Sequence, residues 1–383
     1  VPSLQFAGGI TMAIRSCASP LQRAVVLAAA AESLVSGFSV VDGADTPVYS
    51  LLSYPSLCGV MGGLGPEATA NFFLDGIIRG QQRLFTALQD SARRGDSFEE
   101  QRAAVAQVSS ADWSVAEIQR LSIFPNDIRS SLWDDQQHIP LLIYNHPQTP
   151  GRPDWILSQN RSGLVDPRPF LLASARHLVR GGATCLCMIC NTAHYFLPYV
   201  RERVPSDVKM LDMLQLTVEA ALRASPRQTD TVRLGLLATT ATIDTRIYPD
   251  AAASVISRLQ RKVLIVSPLD ATTGNQSAVT EAIFGPLGLK AGYTKLGTPE
   301  GQRNFELLYG QADVLRATLG VDVVVTACTE IPLVLTQARV SQRNPSLRLL
   351  DPTKVLADEV VRQTLIVREL LEVEGVDLTE QEV

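Results

Sequence analysis

The stretch Thr184-Cys185-Leu186-Cys187-Met188-Ile189-Cys190-Asn191-Thr192-Ala193-His194 decides the fold. Its first six residues make a short apolar run of the kind that forms a strand buried on both faces. Asn191 and Thr192 are helix-capping types, so a strand is expected to end at Cys190 and a helix to begin just after it. A thiol at that junction lies at the carboxyl end of a strand, where open α/β sheets bind ligands.

Working outward, the same unit recurs. Val323-Val324-Val325-Thr326-Ala327 leads into Cys328-Thr329-Glu330, with Pro332 early in the helix that should follow. Cys58-Gly59-Val60-Met61-Gly62 likewise resembles Leu234-Gly235-Leu236-Leu237-Ala238. The interval between the members of the second pair exceeds that of the first by an amount that an insertion at about 86–137 would supply. Short apolar runs at 57–61, 139–144, 184–189, 209–211, 234–238, 262–266, 321–326 and 347–350 alternate with amphipathic segments. That rhythm predicts an α/β class; with the repeat it gives two pseudo-symmetric parallel-sheet domains, and the paired cysteines put the active site in the cleft between them.

The expected boundaries are an N-terminal extension over 1–55, a first domain over 56–212 and a second over 230–344. The first domain carries the insertion and is completed by 345–383. The insertion is polar, contains Trp113 and Trp133, and suggests a mobile loop near Gly95. Residues 211–224 read as a helix bridging the halves.

The chain has 383 residues, 46% apolar and 19% charged, with a net charge of −5. That balance gives no footprint for nucleic acid or for an anionic membrane surface. No uncharged apolar run approaches the ~18 residues of a membrane span. Six cysteines in so long a chain are too sparse for a secreted disulfide framework and point to free thiols in a reducing, cytoplasmic setting. The first 31 residues contain Arg15, Arg23 and no acidic residue, a composition compatible with an organellar transit segment. The competing reading is a helix at about 20–36 packed on the body.

Two cysteines in equivalent positions of two related halves predict thiols facing each other across a cleft. Inverting a stereocentre needs that arrangement, with one group to remove a proton from one face and another to deliver a proton to the opposite face. Helix N-terminal amides favour a thiolate and an anionic substrate. A single cysteine of this kind would read as a small buried hydrophobe. Cys187-x-x-Cys190-x-x-x-His194 has metal-like spacing but only three ligands, two of them along one strand, so no metal is expected. His194 reads either as a supporting residue beside Cys190 or as a core histidine.

The turn Gly62-Gly63-Leu64-Gly65-Pro66-Glu67-Ala68-Thr69 lacks the dinucleotide and P-loop spacings. It suits close backbone approach to a small substrate or simply a tight strand-to-helix turn. Arg152 could fork onto a carboxylate or lie in solvent. Lys290, held between Gly288 and Gly292, poses the same choice.

Together, Gly62–Thr69, Cys190-Asn191-Thr192-Ala193-His194 and Cys328-Thr329-Glu330-Ile331-Pro332-Leu333 resemble the aspartate/glutamate racemase family, nearest its aspartate racemase branch. The resemblance runs from about residue 58 to 372 outside the insertion. It implies a homodimer and racemisation of an amino-acid substrate without pyridoxal phosphate or any other cofactor, with Cys190 and Cys328 as the two acid/bases. It also implies that Asn191, Thr192 and Thr329 hold the α-carboxylate and amino group. Arg152 and Lys290 would grip the side-chain carboxylate, with Met61 and Gln148 as further cleft residues. Ala327 stands where the family commonly has glycine, and Gly151-Arg152-Pro153 replaces the usual Asp-Arg-Thr. Two alternatives are a dicarboxylate isomerase or decarboxylase using one cysteine as nucleophile, and a catalytically silent amino-acid-binding protein.

Overall fold

Strand pairing in the computed structural model follows the repeat read from the sequence. The structure describes residues 57–63, 65–123, 138–225 and 231–373, the last eight by backbone only. The expectations for 1–55, for Trp133 and for 374–383 lie outside the described residues.

The first sheet has the order β2-β1-β3-β4, all parallel, from β1 (Cys58–Met61), β2 (Leu141–Tyr144), β3 (Cys185–Met188) and β4 (Lys209–Met210). The second repeats it as β6-β5-β7-β8, from β5 (Thr231–Ala238), β6 (Lys262–Val266), β7 (Val323–Ala327) and β8 (Leu349–Leu350). In each, the first and third strands of the half are adjacent, so β3 and β7 occupy matching central places. The described residues thus form two related four-stranded parallel sheets covered by helices.

Strand alternation distributes the core. Cys58, Val60, Cys185 and Cys187 turn to one face of the first sheet, and Val232, Leu234, Val323 and Val325 to one face of the second. Both faces share a core with Met213, Leu214 and Val218 of the helix Met213–Ala224. The opposite faces pack separately, through Leu186 and Met188 on Leu171 and Leu178, and through Val324 on Phe305 and Leu315. Asp212 starts the bridging helix by accepting the Leu214 and Gln215 amides on Oδ1 at 3.1 and 3.2 Å.

Two expectations are corrected. The run at 347–350 does not return to the first domain: β8 pairs with Val324 and Val325 as an edge strand of the second sheet. Only the helix Pro352–Val373 crosses back, its Leu356, Ala357 and Val360 sharing a core with Phe72 and Ile77. Nor is Gly95 the centre of a loop. At φ 79° it caps the helix Arg79–Arg94, and Ser97 opens the helix Phe98–Val105 with a reciprocal capping box to Glu100. The described part of the insertion packs inward, with Trp113, Ile118 and Leu121 buried in the shared core.

Candidate active site

Cys190 follows β3 and Cys328 follows β7, so the repeat delivers both thiols to the carboxyl ends of the two central strands. Both line one cleft of ≈ 860 Å³, together with Gly65, Arg152, Asn191, Thr192, Lys290, Thr329 and Glu330. They are similarly covered, at 9% and 6% exposure. Cys58, Cys185 and Cys187 lie in the core instead, as strand alternation requires, and hydrogen bonding among these thiols, together with burial, raises Cys58 and Cys185 above the ordinary thiol range.

The halves are stitched together beside the cleft by hydroxyls. Thr192 Oγ1 lies 3.1 Å from Thr239 Oγ1 and 2.8 Å from Thr242 Oγ1, and those two are 3.0 Å apart. Tyr248 donates its hydroxyl to Asn191 Oδ1 at 2.7 Å. That bond directs the Asn191 Nδ2 away, and this buried donor has no partner. Thr294 of the second half likewise donates to Glu67 Oε1 of the first at 2.5 Å.

Each thiol has its own electrostatic setting. Arg152, first residue of the short helix Arg152–Leu157, is only 7% exposed, which excludes the solvated reading. Its Nη2 approaches Cys190 Sγ at 3.9 Å, its Nη1 donates to the Pro150 carbonyl at 3.3 Å, and its buried Nε has no partner. Such a guanidinium is a ready site for an anion.

Cys328 instead donates to Glu330 Oε2 at 3.1 Å, and the Thr329 hydroxyl donates to the same oxygen at 3.0 Å. Lys290 pairs with Glu330 Oε1. Burial pushes the Cys328 thiol well up, and the Glu330 charge adds to the effect. Burial would also raise the Glu330 carboxyl, but the Lys290 ammonium and the hydrogen-bond donors outweigh it and hold the group below its ordinary value. Burial alone would lower the Lys290 ammonium, but the Glu330 carboxylate, with any charge that develops on Cys328, outweighs it and holds the group above its ordinary value.

His194 supports the backbone rather than a sulfur. Its Nδ1 lies 2.8 Å from the Cys190 carbonyl and its Nε2 accepts the Met213 amide at 3.3 Å. Those contacts require a neutral ring with the proton on Nδ1, and burial lowers its proton affinity in the same sense. Among the described residues no cluster of three side chains could hold a metal ion.

Of the expected site residues, Cys190, Cys328, Arg152, Asn191, Thr192, Lys290 and Thr329 converge on the cleft. Met61 and Gln148 do not. Alternation along β1 sends Met61 to the far face, against Leu171 and Met188, where it borders only a small void behind Cys190. Gln148 is exposed, in a turn closed by the Thr149 amide on the His146 carbonyl. Lys290 and the Thr329 hydroxyl reach the cleft already engaged by Glu330. Glu330 and Tyr248 were not anticipated. Glu330 stood inside the quoted motif, but its types and spacing resemble an ordinary helix start; Tyr248 comes from a distant helix and leaves no local signal.

Residues 128–360 match the model of the Asp/Glu/Hydantoin racemase family. A protein of Pectobacterium carotovorum subsp. carotovorum, described as an uncharacterized protein in the pnlA 3′ region, is 32% identical over 130 residues, which cover 34% of this chain and 69% of that protein. Among solved structures, Picrophilus torridus aspartate racemase aligns over 82% of this chain and 99% of its own, at 17% identity and a TM-score of 0.49. An aspartate racemase homologue from Pyrococcus horikoshii aligns over 81% and 99%, at 18% and 0.44. Glutamate racemase from Bacillus anthracis aligns over 85% and 84%, at 11% and 0.42. Among the described residues no helix is long and apolar enough to cross a membrane. With the family model covering more than half of its length, the chain belongs to the Asp/Glu/Hydantoin racemase family and is a racemase by class.

Proposed function

We propose that this protein is a pyridoxal-phosphate-independent racemase that interconverts L- and D-aspartate by proton transfer between Cys190 and Cys328. The observation that carries the reading is the pair of thiols brought from equivalent strand ends into one cleft. One thiol, as thiolate, removes the Cα proton, and the opposite thiol returns a proton to the other face. The buried Arg152 guanidinium, whose Nε has no partner, and the orphaned Asn191 amide offer donors to carboxylate oxygens. As the Cα proton leaves, negative charge spreads into the α-carboxylate, and donors fixed in advance lower that barrier.

The preference for aspartate rests on the resemblance to the aspartate racemase branch. Glutamate differs by one methylene, worth only ~1–3 kcal/mol in a pocket, so it is expected to be a slower substrate. Chiral chromatography after incubation with single enantiomers of aspartate, glutamate, alanine and serine tests the reading. Conversion fastest with aspartate supports it; conversion of the neutral amino acids but not of aspartate contradicts it.

A further inference from the structure

The two thiols have similar exposure but opposite neighbours. Cys190 faces a guanidinium, whereas Cys328 donates a hydrogen bond to a carboxylate that is 3% exposed and shared with Thr329 and Lys290. Gly65 backs that carboxylate so closely that a Cβ there would sit 2.7 Å from Glu330 Oε1. A thiolate at Cys328 would confront the Glu330 charge across a 3.1 Å contact, with the Lys290 ammonium engaged on the other oxygen. A thiolate at Cys190 would instead face a donor.

We propose that Glu330 is a positioning residue that holds the resting proton on Cys328, so that the free enzyme carries its negative charge on Cys190. This assignment deepens the two-thiol racemase reading and rests on it for its catalytic meaning. In the first transfer the Cα–H bond breaks as an S–H bond forms at Cys190. The Cys328 S–H bond then breaks as C–H forms on the opposite face. Cys328 is left as a thiolate opposite Glu330, the less favourable of the two enzyme forms. It recovers its proton from the Cα of the opposite enantiomer while Cys190 surrenders one. One form of the free enzyme therefore dominates, and it engages one enantiomer first.

Site-resolved alkylation of the full chain by iodoacetamide at pH 7.5, read by peptide mass spectrometry, tests this without any substrate. Thiolates react and thiols do not, and 9% against 6% exposure leaves little steric bias. The groups facing the two sulfurs are Arg152, Glu330 and Lys290, none of which is altered by the reagent. Cys190 is expected to react at least ~10-fold faster than Cys328. Glu330→Gln should speed Cys328 by ~10-fold or more and leave Cys190 within about twofold, while Glu330→Asp, which restores the charge, should slow Cys328 again. Equal rates in the unmodified protein, or an unchanged Cys328 rate in a Glu330→Gln protein of normal thermal stability, would overturn the proposal. If Glu330→Gln does not fold, the comparison of the two thiols in the unmodified protein decides alone. An asymmetric alkylation pattern in a protein that racemises nothing would sustain the thiol assignment while removing the racemase reading.

Discussion

Arg152 concentrates much of the site's electrostatics in one side chain. It is buried, touches a thiol sulfur and has an unpartnered Nε, and no ion pair to it occurs among the described residues. Replacing it with Gln removes charge-assisted hydrogen bonds of ~1.5–3 kcal/mol, so kcat/KM for aspartate should fall by about 10–100-fold. Steady-state kinetics with both enantiomers checks this, and an unchanged value would remove Arg152 from substrate binding. From sequence, this arginine in a Pro/Gly loop was indistinguishable from a solvated one. What separates the two is the packing of the loop after β2 against the strand end of β3, a long-range contact without a local pattern. Cys190 and Cys328 were legible because the repeat marks them twice. Glu330 was not, because its role depends on Gly65 and Lys290, which reach it from other parts of the chain.

At the scale of elements, the strand-to-turn junctions carry the design. All eight apolar runs became strands, since short buried parallel strands announce themselves as continuous apolar stretches. Edges were less legible: β8 joined the second sheet because only three-dimensional adjacency decides which sheet a short run extends. The Gly-rich turn after β1 shows why local motif reading was undecided. Gly65 serves neither a left-handed backbone nor a nucleotide, but leaves room for the Glu330 carboxylate. Gly65→Ala should push that carboxylate off Cys328 and Lys290, costing ~1–3 kcal/mol of stability through overpacking. The expected outcome is a lowered Tm together with a loss of racemisation rate of about 10-fold. A variant with wild-type Tm and turnover would show that the close contact is unimportant.

At the scale of the whole molecule, both sheets rest on one core, and Asp351 lies at the junction of β8 and the last helix. Burial raises its carboxyl to about 6, opposed by hydrogen bonds from Thr353. Its unfolded value is about 3.9, so the folded state binds the proton more tightly. The resulting stabilisation is complete below about pH 4 and is lost as pH rises through 6. Asp351→Asn should therefore raise Tm at pH 7.5 and lose that advantage near pH 4, as thermal melts at the two pH values would show. The two-domain pattern, its cleft, the bridging helix Met213–Ala224 and the return of the C-terminal segment were readable from the sequence; that both helices share one core with the two sheets emerges only when their apolar faces meet in three dimensions.

Two-thiol racemisation is open to a direct test: L-aspartate is incubated in deuterated water with the protein and with its Cys190→Ala and Cys328→Ala variants. Proton NMR would follow Cα, and chiral chromatography the enantiomers. The predicted result is deuterium at Cα and accumulation of D-aspartate with the unmodified protein, and at least ~10²-fold slower racemisation with either variant. Undiminished racemisation by either variant, or aspartate left unexchanged by the unmodified protein, would contradict it.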